Sequence, residues 1–402
     1  MRQLAADLVA KKLQASDCLA EIDLSTINYT LTWAKSSDHG HFACNIALLL
    51  AKPLKRPPKV IAEQLLDSII ELGFVKKVVV AGPGFLNVTI KDDDLLQLVK
   101  KTYQLGAGYD LFDLGQGALV NLEYVSANPT GPLHVGHGRS AALGSALANV
   151  FQVSGYKVHQ EYYVNDAGRQ MQILGLSCLV RSLQQLDMQI NLPDGCYQGD
   201  YIKLIAKAYL AEFSLGLVDE LVQLFAVEGG KDTDLDELIA SAMSICGGGQ
   251  FVKICDFACD YILSGIRADL VEFRVDTEWF FEKSLFAESR VKELFADLKK
   301  VNAVYEKDGA LWFKASEFGD EKDRVLQRSN GQMTYFAADA AYHRLKLKKF
   351  DQVINIWGAD HHGYVPRMRA ILQALGLDNG QFDCLLVQFV SLVEDEKKIA
   401  MS

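Results

Sequence analysis

Residues 123–139 read EYVSANPTGPLHVGHGR, and this stretch constrains the fold more than any other in the chain. An apolar run from Ala118 to Val125 leads into it, and a long Ala/Leu/Gly pattern, Ser140 to Val153, follows. The order is strand, tight Gly/Pro turn, then a helix N-terminus carrying His134 and His137. A helix start offers backbone N–H groups and a positive dipole end to an anion. Gly131 and Pro132 shape the turn, and Gly136 leaves space where a flat ligand must lie against the backbone. Two imidazoles there suit a triphosphate whose charge grows during displacement, where preorganised donors are worth roughly 3–4 kcal/mol each. The residues leave alternatives open. Spaced i and i+3, the histidines could ligate a metal, although the turn holds no Cys, Asp or Glu to complete the set. Either one could also be a satisfied core histidine.

At 402 residues the chain can hold two or three domains with a sizeable core. Its net charge of −10 excludes a generally basic nucleic-acid coat, so an RNA ligand would meet a local patch. Eight cysteines are scattered without a CxxC pair, which fits reduced thiols in the cytoplasm better than a disulfide frame or a zinc site. No structural metal is expected. The opening MRQLAADLVAKKLQ reads as an amphipathic helix rather than a signal peptide, and no apolar run is long enough to span a bilayer.

The periodicity predicts two domains. Residues 1–108 form a small α+β unit: a helix over 2–14, a strand at TLTWAK, a helix entered through HGHFACNIALLLAK, a helix over 59–73, and strands VKKVVVAGPG and FLNVTI. GAGYDLFDLGQG, 106–117, is a Gly-rich linker. From residue 109 the pattern is α/β, with strands at 118–125 and 156–164 and helices at 134–153 and 166–190. This βαβ start predicts a Rossmann-type parallel sheet. A helical insertion spans about 191–300. A hairpin through Asp308-Gly309, a helix over 337–348, the buried run VINIWG, a helix over 364–375 and the strand CLLVQFVSLV complete the domain. Ligands of such sheets bind at the carboxyl ends of the strands, where the strand order switches.

Several constellations fall where that rule puts a ligand. YYVNDAGRQM, 162–171, leaves a strand for a helix, and Asn165-Asp166 there is also a good helix cap. Tyr335 and Asp339 are i and i+4 on one helical face. A carboxylate can take a guanidinium in bidentate geometry with an aromatic group against its plane; an ordinary exposed helix-face pair is the alternative. In WGADHHGY, Gly358, Asp360 and His361 follow the most apolar strand, and Asp360, His361 and His362 could alternatively bind a metal. Glu123 is an acid at a strand end, placed either to meet a cation or to cap the strand in solvent. In the first unit Lys52, Lys55, Arg56 and Lys59 form a basic cluster among Pro53, Pro57 and Pro58, suited to phosphate or simply solvated.

His134-Val135-Gly136-His137 resembles the HIGH motif of class I aminoacyl-tRNA synthetases, and the preceding SANPTGPL is the arginyl-tRNA synthetase form of it. YYVNDAGRQM and GADHH resemble signatures of the same family, and Phe42, Asn45 and the Leu-Ala-Lys ending at Lys52 resemble its additional N-terminal domain. The resemblance implies ligation of L-arginine to tRNA(Arg) through arginyl-adenylate, with ATP and its Mg²⁺, by a cytoplasmic monomer without membrane contact. It implies His134 and His137 as catalytic. For ATP it implies Pro129, Thr130, His134, Gly136 and His137, with Gly358, Asp360, His361, Met401 and Ser402. Arginine falls to Glu123, Ser126, Asn128 and His137, with Tyr335, Asp339 and His361; tRNA falls to Phe42, Asn45, Lys52, Lys55 and Arg56. His39-Gly40-His41 departs from the family's Tyr-Gly-Asp. In the final LVEDEKKIAMS, Met401-Ser402 match the middle of the KMSKS motif, with Ala400 where its first lysine is expected. The chain is therefore expected to lack the C-terminal anticodon-binding domain, and to bind arginine and ATP while charging tRNA negligibly. A non-catalytic RNA-binding paralogue and another HIGH-type nucleotidylyltransferase are the rival readings.

Overall fold

The computed structural model describes residues 27, 29–106, 113–227, 234–377, 379–388, 390–394 and 397–399. The expected helix over 2–14, the boundary at 108, and Ala400, Met401 and Ser402 lie outside the described residues. The chain divides into two compact units, 1–111 and 112–402.

In the first unit, β1 (Leu31–Trp33), β2 (Phe42–Cys44), β3 (Val75–Ala81) and β4 (Phe85–Ile90) make an antiparallel sheet ordered β1-β2-β4-β3. Helices α1 (Ile46–Leu54) and α2 (Pro58–Ile70) pack against it. Ile46, Ala47 and Leu50 recur at helical spacing, as do Ile61, Leu65 and Ile69, and these stripes bury with Phe42, Leu86 and Val88. Lys55, in the left-handed conformation, ends α1, and Pro58 opens α2 at its first helical position, where a missing N–H costs nothing. A further helix, α3 (Asp92–Leu105), starts on three aspartates that suit its dipole.

The second unit is built on five strands: β5 (Leu119–Glu123), β6 (Lys157–Val164), β7 (Glu278–Phe281), β11 (Gln352–Gly358) and β12 (Phe382–Val387). All pairings are parallel and the order is β12-β11-β5-β6-β7. The first strand is thus central, the chain winds outward on one side and then the other, and the switch lies between β5 and β11. Helix α4 (Val135–Val153) returns from β5, and α5 (Arg169–Gln185) leaves β6. Gly144 lets α4 close on the sheet: a Cβ there would collide with the Tyr124 ring. Helices α6 (Asp200–Glu212), α7 (Val218–Val227), α8 (Leu235–Cys246) and α9 (Gly248–Glu272) share one core with α5 and the central strands.

The segment 191–300 is not helical throughout. Glu278–Phe281 forms β7 at the sheet edge, four residues being too short for a period to register among helices. After it come α10 (Lys283–Ala287), α11 (Arg290–Lys300) and the meander β8 (Val304–Lys307), β9 (Ala310–Phe313), β10 (Arg324–Gln327). Asp308 and Gly309 both have positive φ, as the two-residue hairpin turn requires. Then α12 (Tyr335–Lys349) precedes β11, and α13 (Val365–Ala374) precedes β12. The strand expected at 384–393 ends at Val387, and Leu392–Glu394 pairs instead with Lys397–Ile399 as a separate hairpin. Among the described residues, no single helix is long and apolar enough to cross a membrane.

Candidate active site

The carboxyl end of β5 turns through Val125 (φ 68°) and Ser126 (φ 38°), two consecutive residues in a region that disfavours side chains. Four bonds hold the turn. The Ser126 hydroxyl donates to Glu123 Oε1 (3.1 Å) and accepts from the Tyr163 amide (3.1 Å). The Val125 amide donates to Ser140 Oγ (3.3 Å), and the Tyr162 hydroxyl to the Ala127 carbonyl (2.8 Å). Further on, Tyr201 of α6 donates to the Thr130 carbonyl (2.6 Å) and packs closely over Gly131, where a Cβ would meet its ring at 3.3 Å.

At the start of α4 the histidines cap the helix reciprocally. His134 Nδ1 accepts from the Gly136 amide (3.1 Å), and His137 Nδ1 accepts from the His134 amide (3.2 Å). Their rings stack with centroids 3.8 Å apart. A neutral imidazole that accepts at Nδ1 carries its proton on Nε2, so both rings present Nε2–H as donors. Burial, then the neighbouring His134, lowers His137 to about 4, so at neutral pH it is an uncharged donor. The Gly136 amide donates to the cap, and the His134 ring lies close to Gly136, its Cε1 2.9 Å from where a Cβ at that position would begin.

A cluster of acids lies at the same end of the sheet. Asp339, on α12, accepts from the Tyr364 hydroxyl at 2.5 Å, and burial together with the charge of Glu123 raises it to about 6. Glu282, just past β7, is 3% exposed. Burial and the charges of Asp339 and Asp166 push it up to about 8, against a smaller opposing pull from the Tyr163 phenol. Tyr163, at the end of β6, is the hub of these groups: Asp339, Glu282, Glu123 and Asp166 all act on its phenol, which burial raises first of all. Glu123 is buried and its Oε2 pairs with Lys346 Nζ at 2.8 Å. Lys346 also reaches Asn355 Oδ1 (3.1 Å) and Glu161 (3.8 Å), and Glu161 accepts from Asn121 (3.2 Å) and Tyr342. Glu123 is thus neither a solvent cap nor an unpaired acid.

The remaining candidates divide. Tyr335 is 52% exposed, and its hydroxyl lies 3.2 Å from where a Gly168 side chain would begin; the tyrosine bonded to Asp339 is Tyr364. Asn128 Oδ1 accepts from Asn165 (3.3 Å). Asp166 does not cap α5, which begins after Gly168; it accepts from the Lys283 amide (3.0 Å). Gly358, Asp360 and His361 follow β11 beside the switch point, with Asp360 and His361 exposed and 3.5 Å apart. In the first unit Phe42 cannot touch RNA directly: it is 1% exposed in the sheet core, under a stacked Trp33 that is 65% exposed. Asn45 bonds the Thr30 amide (2.7 Å), while Lys52, Lys55, Arg56 and Lys59 are exposed. Tyr163, Glu282, Lys346 and Tyr364 are not legible as site residues in the sequence. Glu282 and Lys346 lie in no motif, Tyr163 and Tyr364 lie within YYVNDAGRQM and WGADHHGY without being distinguished there, and the pair of Lys346 with Glu123, 223 residues apart, is closed only by the fold.

Residues 3–90 match the family model of the arginyl tRNA synthetase N terminal domain, and residues 110–205 and 228–401 match that of the class I (R) tRNA synthetase catalytic domain. An arginine–tRNA ligase of Thioalkalivibrio sulfidiphilus is 42% identical over 387 residues, covering 94% of this chain and 66% of its own. One from Halorhodospira halophila is 43% identical over 410 residues, covering 100% and 70%. The arginyl-tRNA synthetase structure from Thermus thermophilus superposes with a TM-score of 0.68 at 22% identity, covering 96% of this chain and 66% of that one, and supports the fold. The chain spans about two-thirds of the length of these relatives.

Proposed function

Since the chain belongs to the arginyl-tRNA synthetases, we propose that its second unit condenses L-arginine with MgATP to arginyl-adenylate and pyrophosphate, and then transfers arginine to tRNA. The observation that carries the substrate assignment is Asp339, a part-buried carboxylate that accepts from Tyr364 and feels the charge of Glu123 in the cluster of acids at the carboxyl end of the sheet. A guanidinium needs such a partner, and a buried pair is strong once both members are present.

In the first step a substrate carboxylate oxygen attacks the α-phosphorus and the bond to pyrophosphate breaks. No residue need act as a nucleophile, so the protein's part is to position the reactants and stabilise the charge that develops. His134 and His137 donate through Nε2–H to the phosphates, with their rings fixed by the helix cap. Pro129, Thr130, Gly358, Asp360 and His361 line the ATP side in this reading, and Asn128, Tyr335 and the pair Glu123–Ser126 the arginine side. Ser126 and Lys346 act on arginine through Glu123, whose carboxylate they hold. On the first unit, Lys52, Lys55 and Arg56 meet tRNA phosphates. The enzyme works as a cytoplasmic monomer. Arginine-dependent exchange of pyrophosphate into ATP, measured with and without tRNA, tests the reading; absence of exchange under both conditions would favour the non-catalytic paralogue.

A further inference from the structure

At the amino ends of β5, β6 and β7, on the sheet edge opposite the site above, lies a cavity of about 440 Å³. That is room for a small metabolite. Leu119, Val158 and the buried ring of Phe350 give it an apolar wall. Lysines and acids surround this wall without pairing to one another. Lys157, Lys349 and Asp276 are exposed, and among the described residues none of the three makes an ion pair. Lys349 Nζ lies 4.9 Å from the centre of the Phe350 ring. The Thr277 hydroxyl, in the same lining, is buried without a hydrogen-bond partner. Such a group is costly until a partner completes it.

The remaining acid, Glu278, is lent to a histidine: its Oε1 lies 3.4 Å from His159 Nδ1, while His159 Nε2 lies 3.0 Å from Glu161 Oε2. From His159, charged groups run the length of the strands. Glu161 Oε1 is 3.8 Å from Lys346 Nζ, which is 2.8 Å from Glu123 Oε2 at the carboxyl end.

We propose that this cavity is a second ligand site, taking a free α-amino acid. The carboxylate of the ligand meets the lysines and the Thr277 hydroxyl, its ammonium meets Asp276 and Glu278, and its side chain lies on Phe350. A molecule of one sign would answer only half of the lining. Occupancy is felt at Glu123, a part of the proposal that rests on reading Glu123 as lying on the arginine side. An ammonium on Glu278 leaves His159 to Glu161 alone. Glu161 then shares less of its charge with Lys346, which turns fully to Glu123 and leaves less of that carboxylate for a substrate cation. Bound amino acid should raise the arginine KM about fivefold with kcat unchanged.

The test is calorimetric titration of L-leucine, which carries no guanidinium. Isocaproate and isoamylamine, which lack its ammonium and its carboxylate, are titrated beside it. The proteins are the wild type, Lys349→Gln, Glu278→Gln and Asp339→Asn. Leucine should bind at least about tenfold more tightly than either half, and Lys349→Gln and Glu278→Gln should each weaken it about tenfold. Equal binding of either half, or wild-type affinity in both of those variants, would overturn the proposal. So would weakening by Asp339→Asn, which would put leucine in the arginine pocket. Pyrophosphate exchange with and without leucine then gives the arginine KM. Leucine binding with an unchanged KM would overturn the relay, provided that Glu123→Gln weakens arginine. A normal arginine KM in Glu123→Gln would instead overturn the earlier reading of Glu123.

Discussion

His134 and His137 close a helix start and present donors with the same rings, and substitution can separate the two tasks. Replacing His134 by Asn keeps a cap acceptor, so thermal unfolding should stay near wild type. Pyrophosphate exchange should still fall on the order of 10²-fold in kcat, with KM little changed, because the lost donor acts on developing charge. Wild-type exchange in that variant would remove the histidine from the chemistry. At Asp339 the expectation is a selective loss: Asp339→Asn should weaken arginine by several kcal/mol and ATP hardly at all. Equal losses on titration of the two ligands would take Asp339 out of the arginine pocket. The motif histidines are legible because their residue types stand in one short string. Tyr364 is not, since nothing in the sequence says that a residue 25 positions on will donate to Asp339 in preference to Tyr335, one helical turn away.

At the scale of elements, the β5–α4 connection depends on Gly144, which admits the Tyr124 ring at a distance no side chain tolerates. Gly144→Ala should therefore destabilise by about 1–3 kcal/mol through overpacking, and slow exchange further by lifting the capped end of α4. Thermal melts beside exchange rates check this, and a variant of unchanged stability and rate would show that α4 needs no such approach. Long elements are legible in the sequence because burial on one or both faces imposes a period. The 3.6-residue pattern of α4 and the apolar runs of β5 and β11 stand out for that reason. Short ones do not: β7 has four residues, and its place at the sheet edge follows from pairing with β6, a non-local event. The helix α3 carries an amphipathic pattern, yet none of its residues is fully buried, so periodicity alone does not decide where it packs.

Across the second unit, the polar network beneath the site ties stability to acid pH. Burial raises the Glu161 carboxyl, but bonds from His159, Tyr342 and Asn121 and the charge of Lys346 outweigh it, holding it near 2 against an ordinary 4.5. A folded value below the unfolded one contributes stability above about pH 5, and that contribution of about 3 kcal/mol is lost as the pH falls toward 2. Lys346→Met would leave Glu123 and Glu161 without their cation and should cost about 3–5 kcal/mol at pH 7, with acid unfolding shifted upward. Denaturant titration across pH reads both effects; an unshifted acid midpoint would disconnect the lysine from them. The same pair sets an order of events during synthesis. Glu123 leaves the ribosome 223 residues before the lysine that neutralises it, and the central strand waits as long for β11 as its neighbour. Until then β5 and β6 form a half-sheet with an exposed edge and an uncompensated acid at its tip. The nascent chain can gather its helical segment early, but the cluster of acids at the strand ends can form only when the second half of the sheet arrives.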